Sequence, residues 1–150
     1  MEIREKVNKM ITKQDLEDYR FREISLEQQF AKLKMWKNKL TRLNITYGSR
    51  RTSEKLGYVS DCLQLHEIVK KIEDDIERQY QKYEEVDSLI SRIPDPKIKA
   101  VMNQYYVLCA ADWEEVAAIL GLPKRTVYRL HGYGLETIRH MQEQSEVSAT

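Results

Sequence analysis

DWEEVAAILGLPKRTVYRLHGYGL, residues 112–135, decides how this chain is read. Asp112 stands where a carboxylate caps the start of a helix. Glu115, at the third helical position, can reach back in an approximate capping box. The helix this predicts runs near Trp113 to Leu120 and stops at Gly121, which enters the left-handed region without a side-chain penalty. Pro123 then opens another helix, where its missing N–H is no loss. Ala117 is small where the two helices cross closely, and Leu122, Val127 and Leu130 fill the space between them. The arrangement predicted is a helix-turn-helix whose second helix is free to enter a major groove.

The spacing by itself is common, and an ordinary helical corner would share it. Charge favours the sharper reading. From Leu122 to Leu135 the only charged residues are Lys124, Arg125 and Arg129, and no acid comes before Glu136. An exposed basic helix attracts phosphate, and arginine also binds guanine through two parallel hydrogen bonds. Val127 and Leu130 are expected to face inward. Lys124, Arg125, Thr126, Tyr128 and Arg129 are expected to face outward as the candidate DNA contacts. Two glycines in "LHGYGL" cost a helix about 1 kcal/mol each relative to alanine. Either the helix bends there, or a backbone or phosphate comes too close for a side chain. His131 precedes them and reads as a surface or packing residue or as a further phosphate contact, so it joins the candidates.

Upstream, "RIPDPKIKAVMNQYYVL" (residues 92–108) contains another helix start, with Asp95 as cap and Pro96 at the first helical position. Ile98, Val101, Met102, Tyr105 and Leu108 then form one apolar face. Still earlier, Leu16, Tyr19, Leu26, Phe30, Leu33, Leu40 and Leu43 recur at spacings of the coiled-coil kind, with Glu23 and Lys37 as polar interruptions. A second stripe follows at Ile68, Ile72, Ile76, Tyr83, Val86 and Ile90. The two stripes predict an antiparallel helical hairpin, although each could instead meet its copy in a second chain. Between them "NITYGSRRTSEKLGYVSD" (residues 44–61) is polar, contains glycine and has no clean period, so it reads as a loop or partly disordered segment. Its Arg50, Arg51 and Lys55 make it either a soluble connector or an arm that touches phosphate.

Composition bounds the rest. The chain has 150 residues, a third of them charged, with few Gly and Pro and no sustained strand alternation. An all-α fold is expected. A formal net charge of +1 speaks for no partner, because only local charge can. No apolar run approaches the roughly 20 residues of a membrane span, and "MEIREKVNKM" lacks the apolar region of a signal peptide, so a cytoplasmic location is expected. Cys62 and Cys109 have no metal-ligand spacing and are expected to be reduced core thiols. Glu114 and Glu115 are adjacent on a helix and point about 100° apart, so they do not converge on one site. With no phosphate loop, metal cluster or nucleophile motif, neither enzymatic activity nor a cofactor is expected.

The C-terminal unit resembles region four of bacterial sigma factors. The whole order resembles the ArpU-like phage transcriptional regulators, which include the RinA-type late-gene activators, and a related family of phage proteins. The motifs that carry the likeness are Ile90–Ile93–Asp95, Trp113–Glu114–Glu115–Val116–Ala117 and Leu130–His131–Gly132–Leu135. They lie within residues 60 to 140. The resemblance implies a cytoplasmic, sequence-specific regulator encoded by a phage or prophage, acting on late or packaging-gene transcription. Groove contacts, carried over by position, fall at Lys124, Arg125, Thr126, Tyr128 and Arg129. Pro123 departs from the pattern, standing where a capping Ser or Thr is usual. The organisation expected is a hairpin over 1–93 for oligomerisation or docking, the helix-turn-helix unit over 94–142, and a tail over 143–150. Expected partners are double-stranded DNA, RNA polymerase and further copies of the chain, and no membrane. A small terminase-like packaging protein and a coiled-coil adaptor to RNA polymerase are the competing classes.

Overall fold

The computed structural model describes residues 10–47 and 52–149, and they form an all-α structure with no strand among them. The helices are α1 (Lys13–Arg20), α2 (Arg22–Tyr47), α3 (Thr52–Ser91), α4 (Pro96–Met102), α5 (Trp113–Leu120) and α6 (Lys124–Ala149). A π-helical turn, Asn103–Val107, continues α4. The described residues group into two compact units, 10–21 with 83–149, and 22–82. The sequence division at residue 94 falls within the first of these.

In the unit of residues 22–82, α2 and α3 run antiparallel within one chain. Ser25 Oγ accepts a hydrogen bond from Gln79, the Phe30 and Tyr80 rings lie 6.5 Å apart, and the Cys62 thiol meets Asn44. Leu26, Leu33, Leu40 and Leu43 are half-buried, whereas Val69, Ile72 and Ile76 on α3 are buried. The connector expected over 44–61 is mostly helix, since α2 continues to Tyr47 and α3 begins at Thr52. The segment contains no proline. A helix already started gains a hydrogen bond for each residue it fixes, and Gly57 costs it only about 1 kcal/mol. Arg50 and Arg51 lie outside the described residues, as does the Lys55 side chain.

The other unit begins with a correction to the first leucine stripe. Thr12 and Asp15 form a reciprocal capping box, with Thr12 N–H donating to Asp15 at 2.9 Å and Asp15 N–H donating to the Thr12 hydroxyl at 3.3 Å. The short helix they start ends at Phe21, whose N–H donates to the Asp18 carbonyl. Leu16 and Tyr19 therefore belong to a separate helix and are buried in this unit, where the Tyr19 hydroxyl donates to Asp87 and its ring packs edge-on to Tyr83, both near the end of α3. Further along, Gln142 of α6 grips the entry to α1. Its Oε1 accepts from Ile11 N–H at 2.6 Å, and its Nε2 donates to the Ile11 carbonyl. Because α6 runs to Ala149, most of the segment read as a tail is helical.

Asp95 caps α4 as expected, accepting from Lys97 N–H at 2.8 Å and Ile98 N–H at 3.2 Å, with Pro96 first in the helix. The π turn then changes the register. Leu108 N–H donates to Asn103 O five residues back, so an extra residue is inserted in the turn. Tyr106 turns fully inward, and Leu108, expected on the apolar face, is exposed. Val101, Ala110, Val116, Val127 and Leu130 form the core between α4, α5 and α6, with Trp113, Ala117, Leu120 and Leu122 around it.

Candidate nucleic-acid interface

The start of α5 forms as its sequence requires. Asp112 Oδ1 accepts from Glu115 N–H at 2.8 Å, and the Glu115 carboxylate accepts from Ala111 N–H, one residue before the cap. Gly121 ends the helix at φ 64° and ψ 35°, in the left-handed region. Gly121 and Leu122 both donate their N–H to Ala117 O, which supplies the last turn with donors and brings Leu122 onto the core. Pro123 contributes its carbonyl to the first bond of α6, from Val127 N–H at 3.1 Å. With Val127 fully buried and Leu130 buried beside it, the rotation of α6 about its axis is fixed.

That rotation sorts the candidate residues. Arg125, Tyr128 and Arg129 are exposed, and no ion pair holds either arginine among the described residues. Thr126 is half-buried, at the edge of the surface. Lys124 is exposed, but its Nζ pairs with Glu114 Oε1 at 3.0 Å, a hydrogen bond that raises the ammonium pKa. The α6 stretch without acids in sequence thus has an acid beside it in space, supplied by α5. The Lys124 ammonium also lies 5.8 Å from the Tyr128 ring centre, and that ring tilts against Trp113.

His131 lies elsewhere. It is buried at 8 % exposure, and its Nε2 shares a 2.7 Å hydrogen bond with the Tyr106 hydroxyl. Its ring also lies 4.4 Å from that of Trp113. Burial, with a smaller contribution from the Lys13 charge, lowers its pKa from 6.5 to about 4. A neutral, enclosed imidazole is not available to phosphate, so His131 leaves the candidate contacts and joins the core. Its neighbour Tyr106 has its pKa raised, mainly by burial, and stays protonated.

The glycines of "LHGYGL" part company as well. Helix α6 passes through both. A Cβ on Gly134 would meet Met102 Sδ at 2.5 Å and Cγ at 2.7 Å, so this glycine lets α6 approach α4 closely. Gly132 is exposed, and a Cβ there would meet nothing. The close neighbour that excludes a side chain is internal, and it acts at the second glycine only.

An aromatic and cationic brace supports α5 from behind. Tyr105 stacks on Trp113 with ring centres 3.8 Å apart. The Arg20 guanidinium lies 4.1 Å from the Tyr105 ring centre and donates to Tyr105 O at 2.8 Å and Ala111 O at 3.1 Å. Arg20 thereby ties α1 to the loop that launches α5. Its role was not readable from sequence, where it is one more cation within the first leucine stripe, far along the chain from the loop it holds. Cys109 sits in this loop at φ 57°, exposed, with its Sγ 3.3 Å from Arg20 O. Cys62 is half-buried and neither cysteine is in a disulfide, so the expectation of core thiols fails on burial. Both loop and hairpin end offered apolar sequence neighbours that do not enclose the sulfur.

Among the described residues no group of His, Cys, Asp and Glu is placed to hold a metal ion, and no helix is long and apolar enough to cross a membrane. No protein-family model matches the sequence, and neither a curated protein nor a solved structure matches the chain.

Proposed function

We propose that this chain is a sequence-specific regulator of transcription that binds double-stranded DNA through the first turns of α6. The observation that carries the reading is the division of that helix. Val127 and Leu130 anchor one side in a core, while Arg125, Tyr128 and Arg129 are exposed on the other. A helix held this way by a left-handed turn has the geometry of a recognition helix, whose N-terminal residues contact base edges. Arg125 and Arg129 are four residues apart and share one face, suited to guanine or phosphate. Lys124 and Thr126 contribute at the rim, Lys124 by exchanging Glu114 for phosphate.

The resemblance to ArpU-like and RinA-type regulators supplies the setting in this proposal: a phage or prophage protein of the cytoplasm, acting on late or packaging genes with RNA polymerase as a further partner. A helix-turn-helix reads few base pairs, so the binding form is a homo-oligomer on half-sites about 34–36 Å apart or a multiple of that. Selection of bound duplexes from a random pool tests the proposal. The expected result is an enriched motif with a repeated half-site. A chain that binds the pool without enriching any sequence would overturn it.

A further inference from the structure

The strongest segregation of charge in the molecule is not on α6. From Gln28 to Ser53 there are seven basic residues and no acid: Lys32, Lys34, Lys37, Lys39, Arg42 and, outside the described residues, Arg50 and Arg51. Taking those seven from the chain's 25 basic residues leaves 18 against 24 acids, a net charge of −6 on everything else. A chain that is almost neutral as a whole is thus a strongly basic segment attached to an acidic remainder.

In the structure the first five cations lie on α2, and all five are exposed. By helical period Lys32 and Lys39 lie on one flank of the face that carries Leu33, Leu40 and Leu43, Lys34 and Lys37 lie on the other, and Arg42 lies on the outer side. From Lys32 to Arg42 they cover about 15 Å of axis at about 1.5 Å per residue. None of the four lysines is ion-paired among the described residues. Lys39 lies with its ammonium 4.3 Å from the Trp36 ring centre.

We infer that Lys32, Lys34, Lys37 and Lys39 form a second DNA contact, one that attracts the phosphate backbone without reading sequence. Lysines are mobile point charges without arginine's rigid fork, which suits diffuse attraction to a uniform line of charge better than a fixed carboxylate register. Lys32 to Lys39 cover about 10 Å of axis, and duplex DNA presents about one charge per 1.7 Å counted over both strands, so the long side chains on both flanks of the helix have phosphates within reach. The same lysines oppose the pairing of this helix with a second copy of itself. The choice of DNA as the polyanion rests on the proposed function, whereas the basic segment does not.

The test is the full-length chain carrying Lys32→Gln, Lys34→Gln, Lys37→Gln and Lys39→Gln, titrated with a duplex of random sequence between about 50 and 200 mM salt. The expected result is a log–log salt slope shallower by about 0.9 for each phosphate no longer neutralised. The motif selected from a random pool should stay unchanged, and the corresponding four-arginine variant should keep the parent slope. If the glutamine variant loses helicity, Lys34→Gln and Lys37→Gln are read singly, each expected to lower the slope by about 0.9. An unchanged slope in a folded variant overturns the inference. So does a parent chain that binds phosphatidylserine vesicles or polyglutamate more tightly than duplex at the same salt. Substituting Lys124, Arg125 and Arg129 instead should abolish sequence preference and leave random-duplex binding through α2. If that variant keeps its sequence preference, the reading of α6 fails while the α2 contact stands.

Discussion

Leu16 and Leu33 belong to one leucine stripe in the sequence, yet Leu16 is 1 % exposed and Leu33 is only half-buried. The difference lies in what each helix is given to pack against. Helix α1 joins a unit whose other helices surround a common interior, while α2 is covered along one side by α3. Polar groups follow the same division. In the first unit Gln142 is buried and meets both the N–H and the carbonyl of Ile11. In the second, Gln29 Oε1 and Gln79 Oε1 are buried without a hydrogen-bond partner among the described residues. An apolar stripe therefore specifies that a helix will be covered on one side, and how well depends on the number of neighbours.

The sharpest test of that contrast is a pair of truncations. Leu16→Ala should destabilise by about 2–5 kcal/mol, the range for deleting a buried leucine side chain. Leu33→Ala should cost about 1 kcal/mol, because less apolar area is returned to water. Urea unfolding followed by helicity compares them, and equal losses would erase the distinction between the units.

Next in size is a pH effect confined to the first unit. His131 has a folded pKa of about 4 against its ordinary 6.5, so the unfolded chain binds more protons between those values. Its contribution is fully present above about pH 6.5 and is lost as pH falls towards 4, to a limit of about 3 kcal/mol. Denaturation midpoints across that window should fall with pH in the parent, and this component should be absent in His131→Gln. Parallel curves for the two proteins would contradict the buried, neutral imidazole.

The glycines provide the smallest effects, of opposite sign. Gly134→Ala brings a methyl against fully buried Met102 and should destabilise by about 1–3 kcal/mol. Gly132→Ala fills open space on an exposed helix surface and should stabilise by up to about 1 kcal/mol. Thermal melts decide both. Destabilisation by the second change would mean that α6 does not pass regularly through Gly132.

What sequence made legible was local. The Asp112 and Asp95 caps, the stop at Gly121 and the inward Val127 and Leu130 each depend on residues within a few positions, where capping and helical period suffice. The break at Phe21 was hidden because the leucine spacing continues across it. The π turn was hidden because no residue type demands one, and it moved Leu108 outward and Tyr106 inward. Contacts between distant parts of the chain, such as Arg20 with Tyr105 or Glu114 with Lys124, have no local pattern at all. For the same reason the enclosure of His131 by Tyr106 and Trp113 has no signature in the residues around it. The basic run of α2 is plain in the sequence, whereas its exposure along one helix emerges only with the fold.

The central claim is that α6 presents Arg125, Arg129 and Lys124 to DNA while its other side holds the core. It is tested most directly by the affinity of the Lys124→Ala, Arg125→Ala, Arg129→Ala variant for a selected duplex, measured against salt. All three residues are exposed, so helicity and the unfolding midpoint should stay close to those of the parent. Preference for the selected site over random duplex should disappear, and the salt slope should fall by about 0.9 for each phosphate left without its cation. A folded variant that kept the parent's site preference and slope would contradict the assignment of this helix to the groove.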